Sequence, residues 1–137
     1  MTQSMTQSMA HPATQPIGRR VWAIAEGYIP PASTGTSREL TSHETVCILN
    51  AGDEPARVEI KVYFADREPV GPYKFTCGPR RTLHLRFNDF KDPASIPKGT
   101  DFSSVISSNV PIVVQHTRLD TRQPALALLS TIAFPLD

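Results

Sequence analysis

Hydrophobic residues recur at every second position along several short stretches of this chain, which is the period of a β-strand with one buried face. The clearest stretch covers residues 57–64, and its inward positions are Val58, Ile60, Val62 and Phe64. Residues 80–87 repeat the pattern, with Leu83, Leu85 and Phe87 as the inward positions. Both stretches predict antiparallel strands that pack one face on a core.

Two further stretches are hydrophobic on both faces at one end and polar at the other. Ser107, Ser108 and Asn109 predict a polar turn that leads into the first of them. Residues 110–120 then begin with a β-branched run and end polar, whereas residues 39–50 begin polar and end hydrophobic. If these two strands pair antiparallel, their polar halves lie side by side. The ionisable residues brought together in this way are His43, Glu44, His116 and Arg118.

Shorter candidate strands cover residues 21–27, 73–77, 102–107 and 125–134, and turns rich in proline and glycine separate them. The loop at residues 88–100 is long enough to cross between two sheets. About eight short strands predict an all-β fold, a single-domain antiparallel β-sandwich or jelly roll. The strand at 125–134 is apolar on both faces, so a subunit interface is plausible there.

Composition changes this picture little. The chain has 137 residues, of which 39% are hydrophobic and 20% are charged, as expected for one soluble domain. Residues 1–17 are polar and repetitive, which predicts a disordered tail before a domain at 18–137. The start does not resemble a signal peptide and no stretch is long enough to span a membrane. We therefore expect a cytoplasmic protein without direct membrane insertion, whose membrane role, if any, depends on a partner.

Charge argues against general nucleic-acid binding. The formal net charge is +1, which provides no overall attraction to a phosphate backbone. Arg80, Arg81, His84 and Arg86 lie on one predicted hairpin, and Arg19 and Arg20 form a pair. The three hairpin arginines are the basis for the alternative of a DNA-binding regulator. The favoured interpretation is a solvated outer face.

Candidate metal and catalytic chemistry is weak. His43, His84 and His116 lie on predicted strands, but they lack a tight ligand spacing such as His-x-His, and the two cysteines lack a Cys-x-x-Cys pairing. We find no nucleophile elbow and no phosphate loop. The sequence predicts a protein that is not an enzyme and has no metal or cofactor.

Trp22 and Tyr28, next to Glu26 and a proline-rich loop, suggest a platform on which a sugar could stack. A Trp in the core is the commoner arrangement. A small-ligand module remains an alternative function.

Several longer strings resemble the soluble sensory rhodopsin transducer family. They are residues 22–31 (WAIAEGYIPP), 42–52 (SHETVCILNAG), 68–73, 86–89, 109–120 (NVPIVVQHTRLD) and 127–133. The resemblance covers nearly all of residues 18–133. It implies a cytoplasmic β-sandwich that forms a homotetramer, binds the cytoplasmic face of a seven-helix retinal protein and relays its light state. The family's fold is similar to that of carbohydrate-binding β-sandwiches, and members of the family have also been proposed to bind DNA.

We therefore predict a non-enzymatic signalling adaptor that binds a sensory rhodopsin or another membrane receptor, with photoreception as the wider process. A carbohydrate-like ligand module and a DNA-binding regulator are the alternatives. The predicted partner- or ligand-binding residues are Trp22, Glu26, Tyr28, His43, Glu44, His116, Arg118 and Asp120.

Overall fold

The computed structural model describes residues 15–137, so most of the predicted tail lies outside the described residues. The strands are β1 (Arg19–Tyr28), β2 (His43–Asn50), β3 (Ala56–Phe64), β4 (Val70–Cys77), β5 (Arg81–Arg86), β6 (Asp101–Asp120), β7 (Ala127–Ile132) and β8 (Phe134–Pro135). Two single 3₁₀ turns, Arg38–Leu40 and Phe87–Asp89, are the helical elements of the described part. The predicted all-β antiparallel fold is confirmed.

Strand β6 organises the molecule. It is 20 residues long, and it pairs with β1 and β3 through its first half and with β2 and β7 through its second half. One half of the sheet therefore has the order β4-β3-β6-β1-β8, and the other has the order β5-β2-β6-β7. Because β6 runs through both halves, it fixes how the two halves meet.

The sequence predicted a turn at Ser107, Ser108 and Asn109, and this is wrong. Ser107 pairs with Glu59, and Ser108 pairs with Val58, so the ladder to β3 continues through these residues. The side-chain Oδ1 of Asn109 accepts a hydrogen bond from the Arg57 backbone N–H at 2.6 Å. These polar residues lie where the register between β6 and β1 shifts, between the pairs Val21–Ser107 and Arg19–Ile112. Strand β6 itself continues through them.

The core lies between the two halves of the sheet. Its aliphatic centre comes from alternate positions of β2, β3 and β6, all almost fully buried, and consists of Val46, Ile48, Val58, Ile60, Val62, Ile106, Ile112 and Val114. The inward positions predicted for β3 are confirmed, with Phe64 only half-buried. In β5, Leu83 and Leu85 are also half-buried, so this strand covers the margin of the core.

The loop after β5 crosses between the two halves, as predicted. Phe87 and Phe90 are buried in it, with ring centroids 4.9 Å apart, and Phe87 also contacts the ring of Phe102 at 5.0 Å. Ile96 is buried further along, and the Gly99 backbone N–H donates to the Ile29 carbonyl at 2.8 Å. Aromatic packing therefore holds a long connection in one position.

Strand β7 is exposed on both faces, although its sequence is hydrophobic. Leu128 is 69% exposed and Ile132 is 59% exposed, and Phe134 in β8 is 67% exposed. Within residues 15–137, β7 pairs with β6 alone, so its other edge is open. No helix among the described residues is long and apolar enough to cross a membrane.

A glycine in β1 allows close contact with β6. A Cβ atom at Gly27 would lie 2.6 Å from both the ring and the carbonyl oxygen of Phe102. We expect Gly27→Ala to lower the free energy of unfolding by about 2 kcal/mol because the backbone cannot move away from the clash. Urea unfolding at one protein concentration measures this. Gly52→Ala is the matched control, since its Cβ would meet only the Asn50 side chain, at 3.4 Å. Equal stability of the two variants would contradict the prediction.

Candidate functional site

The site begins with the pairing of β2 and β6, which is antiparallel as predicted. Glu44 lies opposite Arg118, and Val46 lies opposite His116. The polar halves of the two strands therefore lie side by side. The start of β2 and the end of β6 also lie close to the end of β1, which contributes Glu26 and Tyr28.

Two of the predicted site residues are in the core. Side chains alternate along a strand, so Glu44 points inward with Val46, and His116 points inward with Val114. Glu44 is 0% exposed and His116 is 1% exposed. Both side chains therefore lie inside the fold and not on its open surface, because the inward face of both strands continues past the hydrophobic run. Their role in binding a partner or ligand stays a prediction.

The buried Glu44 carboxylate is satisfied by three partners. Its Oε1 is hydrogen-bonded to His116 Nε2. Its Oε2 accepts from the Arg118 side-chain Nε at 2.9 Å and from the Tyr28 backbone N–H at 2.8 Å. A buried charge is tolerated when it is paired and hydrogen-bonded in this way.

Arg118 carries the network from the interior to the surface. Its side chain is 17% exposed and donates from a terminal nitrogen to Glu26 Oε2 at 3.1 Å, while Glu26 is 70% exposed. Burial acts to lower the pKa of Arg118, but the hydrogen bonds and charges of Glu26 and Glu44 outweigh it and raise the pKa above its usual value. Arg118 is therefore a fixed cation between a buried and an exposed carboxylate.

Asp120 and Arg122 extend this surface. Arg122 donates from a terminal nitrogen to Asp120 Oδ2 at 2.6 Å, and this hydrogen bond lowers the pKa of the Asp120 carboxyl. The guanidinium groups of Arg118 and Arg122 each lie 5.8 Å from the centre of the Tyr28 ring. We call this surface the polar rim, and it consists of Glu26, Tyr28, Arg118, Asp120 and Arg122.

Sequence reasoning missed Arg122 because it lies in a segment assigned only as a turn. Its position two residues after Asp120 was the available signal, since a carboxylate at a strand end can pair with a cation across a tight turn. It also missed a buried polar seam beside the rim. There the Ser42 hydroxyl accepts from the Thr121 backbone N–H at 2.9 Å, and the side-chain Oδ1 of Asn88 accepts from the Glu44 backbone N–H at 3.2 Å.

Two open clefts border the polar rim. One, of about 400 Å³, is lined by Glu26, Gly27 and Asp101 together with residues of β3 and β6. The other, of about 580 Å³, is lined by Asp120, Arg122 and the start of the segment that leads to β7. The polar rim is therefore a surface of charged side chains between two open clefts, and it is not a deep pocket.

Two other predicted site residues lie elsewhere. Trp22 is 4% exposed in the core, and its indole N–H donates to the carbonyls of Arg19 at 2.9 Å and Ile112 at 3.0 Å. It offers no stacking surface for the suggested sugar platform with Tyr28, and it has the commoner position of a Trp in the core. His43 lies on the outer face of β2, opposite to Glu44, because the two residues are adjacent in a strand.

The three strand histidines do not converge. Within residues 15–137, no group of three His, Cys, Asp or Glu side chains is arranged to hold a metal ion. The hairpin arginines are also separated, since Arg81 and Arg86 occupy the two ends of β5, about 16 Å apart. Arg80 is paired with Asp53 at 2.6 Å.

Comparison with known proteins gives a consistent result. Residues 17–135 match the family model described as "Anabaena sensory rhodopsin transducer". A solved structure titled "Anabaena sensory rhodopsin transducer" is 63% identical, with a TM-score of 0.65, covering 75% of this chain and 99% of that one. The Thermotoga maritima 1070 structure is 38% identical, with a TM-score of 0.77, covering 88% of this chain and 97% of that one. A search among curated proteins found no match.

The buried carboxylate provides a stability test. We expect Glu44→Ala to lower the free energy of unfolding by about 3 kcal/mol, because it leaves His116 and the partly buried Arg118 without their shared partner. Chemical denaturation measures this. Glu26→Ala removes the exposed carboxylate of the same arginine, and we expect a change of less than about 1 kcal/mol. If the two variants lose the same stability, the buried carboxylate is not the centre of the network.

Proposed function

Because this chain belongs to the Anabaena sensory rhodopsin transducer family, we propose that it is a non-enzymatic signalling adaptor that binds the cytoplasmic face of a retinal membrane receptor and relays its state. Family membership supports a transducer-like role. Docking at the polar rim is supported by one observation: Arg118 of the rim is held by the buried Glu44 and in turn holds the exposed Glu26.

Charge and rigidity make the polar rim suitable for docking. Glu26 and Asp120 present carboxylates at the surface, and Asp101 lies in the adjoining cleft. Cytoplasmic loops of membrane proteins carry an excess of Lys and Arg, which these carboxylates complement. Arg118 is held by two carboxylates, so the rim loses little conformational freedom when a partner binds.

The relay is proposed to start with Glu26. A receptor cation that pairs with Glu26 competes with Arg118 for the same carboxylate. Arg118 belongs to β6, the strand shared by both halves of the sheet, so a change at Glu26 reaches this strand directly. Arg118 is also hydrogen-bonded to Glu44, which is hydrogen-bonded to His116 in the same half of β6, so the change also reaches the core.

We also propose that the protein assembles as a homotetramer through β7 and the strand that follows it. Six large hydrophobic side chains of this region are between 44% and 69% exposed, namely Leu126, Leu128, Leu129, Ile132, Phe134 and Leu136. A contiguous apolar surface with an open strand edge is typical of a subunit interface. A second copy would cover both faces of β7.

The alternative functions have weaker support. A sugar-binding module lacks the indole surface on which it was based, because Trp22 is buried. A DNA-binding regulator lacks a continuous basic surface, because Arg80 is paired with Asp53 and the net charge is only +1.

Calorimetry with the detergent-solubilised retinal receptor of the same host tests the docking surface. We expect saturable binding by the unmodified protein, and at least about ten-fold weaker binding by Glu26→Lys, because a cation then faces the receptor's cations. Glu59→Lys is the matched control, since it makes the same charge change at an exposed position of β3 and should bind normally. Absence of heat and of any change in the photocycle with the unmodified protein would contradict the proposal.

Light scattering after size-exclusion chromatography tests the assembly. We expect the unmodified protein to have the mass of four chains, and Leu128→Glu to shift it to a smaller species because a buried charge is costly at a subunit interface. Leu40→Glu places the same charge at a hydrophobic residue outside β7 and should leave the mass unchanged. A monomeric unmodified protein would contradict the proposed tetramer.

A further inference from the structure

The outer face of β5, β2 and β6 carries a further polar cleft, which is separate from the two clefts that border the polar rim. It is an open cleft of about 400 Å³. We call it the outer cleft, and its polar lining consists of Arg38, His43, Thr45, His84, Arg86 and Thr117. None of these residues belongs to the rim.

Strand register builds the outer cleft. Thr45 in β2 lies opposite Arg86 in β5 and opposite Thr117 in β6, so these three side chains form one row across the sheet. His84 stands in the next row, opposite Cys47. Arg38 reaches the same place from the 3₁₀ turn before β2, because the Arg86 side chain donates from Nη1 to the Arg38 carbonyl at 2.9 Å.

The outer cleft holds more positive than negative charge. Arg38 is paired with Asp89 at 2.6 Å, whereas no carboxylate within residues 15–137 forms an ion pair with Arg86. Burial lowers the pKa of Arg86 and the nearby charge of Arg38 lowers it further, while the charge of Asp89 acts in the other direction. Burial, followed by the charges of Arg86 and Arg38, also lowers the pKa of His43, although its bond to the Thr41 carbonyl and the charge of Glu44 act in the other direction. The two arginines thus outnumber the single carboxylate, Asp89, and the cleft keeps an excess of positive charge.

We propose that the outer cleft binds the phosphate group of a small phosphorylated metabolite. The fork of Arg86 suits two oxygens of a phosphate, because only one of its donors is used within residues 15–137. The imidazole of His84 and the hydroxyl of Thr45 can supply further donors around the same space, whereas the N–H of His43 is already used by the Thr41 carbonyl. This role goes beyond receptor docking, because the outer cleft lies on the face of β2 opposite to Glu44.

A small ligand fits the outer cleft better than a nucleic acid does. The positive charge is concave and local, and Asp89 stands at its margin. The next arginines along β5, Arg80 and Arg81, are at the far end of the strand, and Arg80 is paired with Asp53. A DNA backbone needs a longer line of unpaired cations.

Titration of the full-length protein with inorganic phosphate, at constant ionic strength kept with sodium chloride and followed by NMR, tests the proposal. We expect saturable shifts confined to the backbone and imidazole signals of the outer cleft. Arg86→Gln should weaken binding at least about ten-fold, because the charged fork is lost. Arg81→Gln removes the same charge from an exposed position of the same strand and should change binding less than about two-fold.

Cys47 provides a second readout that needs no variant. It lies in the floor of the outer cleft and is half-buried, whereas Cys77 is only 2% exposed. Bound phosphate should slow alkylation of Cys47 by iodoacetamide, and chloride at the same ionic strength should not. Cys77 serves as the internal reference for global opening of the fold.

Three outcomes would overturn the proposal. The first is the absence of saturable shifts and of Cys47 protection in the unmodified chain, which decides the matter even if Arg86→Gln fails to fold. The second is an equal loss of binding in Arg81→Gln, which would indicate general ionic attraction. The third is tighter binding of a 12-base-pair DNA duplex with a steep salt dependence. Glu26→Lys should leave phosphate binding unchanged, so failure at the rim and failure at the outer cleft are distinguishable.

Discussion

A carboxylate cannot be buried among valines and isoleucines unless its charge is balanced and its oxygens are hydrogen-bonded. Glu44 meets this condition through His116, Arg118 and the backbone N–H of Tyr28, which come from β6 and β1. The ends of three strands must therefore be in register for the protein to bury this charge. That requirement fixes Arg118 in place, and Arg118 in turn orients the exposed Glu26. The surface available to a partner thus depends on an interaction inside the core.

The length of β6 makes this local network relevant to the whole molecule. Because β6 belongs to both halves of the sheet, a displacement at His116 has neighbours in β2 and β7, and the same strand continues to β1 and β3. The exposed hydrophobic strand β7 pairs with the polar half of β6, opposite the residues of the network. A proposed receptor site and a proposed subunit interface therefore share one strand, which is a direct physical route for coupling between them.

Strand β2 presents different chemistry on its two faces. Its inward face places Glu44 in the core, and its outward face places His43 and Thr45 in the outer cleft next to Arg86. The two faces are separated only by the thickness of the sheet, but their charges differ, since one is a satisfied ion pair and the other is an excess of cations. The two proposed binding sites, one for a partner and one for a small anion, therefore involve opposite faces of one strand.

The sequence by itself determined the strands, the inward positions of β3 and the antiparallel pairing of β2 with β6, because alternation and hydrophobic runs are local patterns. It also carried the family resemblance. Only the tertiary structure decided that β6 continues through Ser107, that Trp22 is in the core and that Glu44, and not His43, faces the core. The tertiary structure also decided that Arg122 lies in the polar rim, beside Asp120 and Tyr28. These outcomes depend on register between strands distant in sequence and on which side of a strand meets the core, and a shift of one residue reverses every side chain.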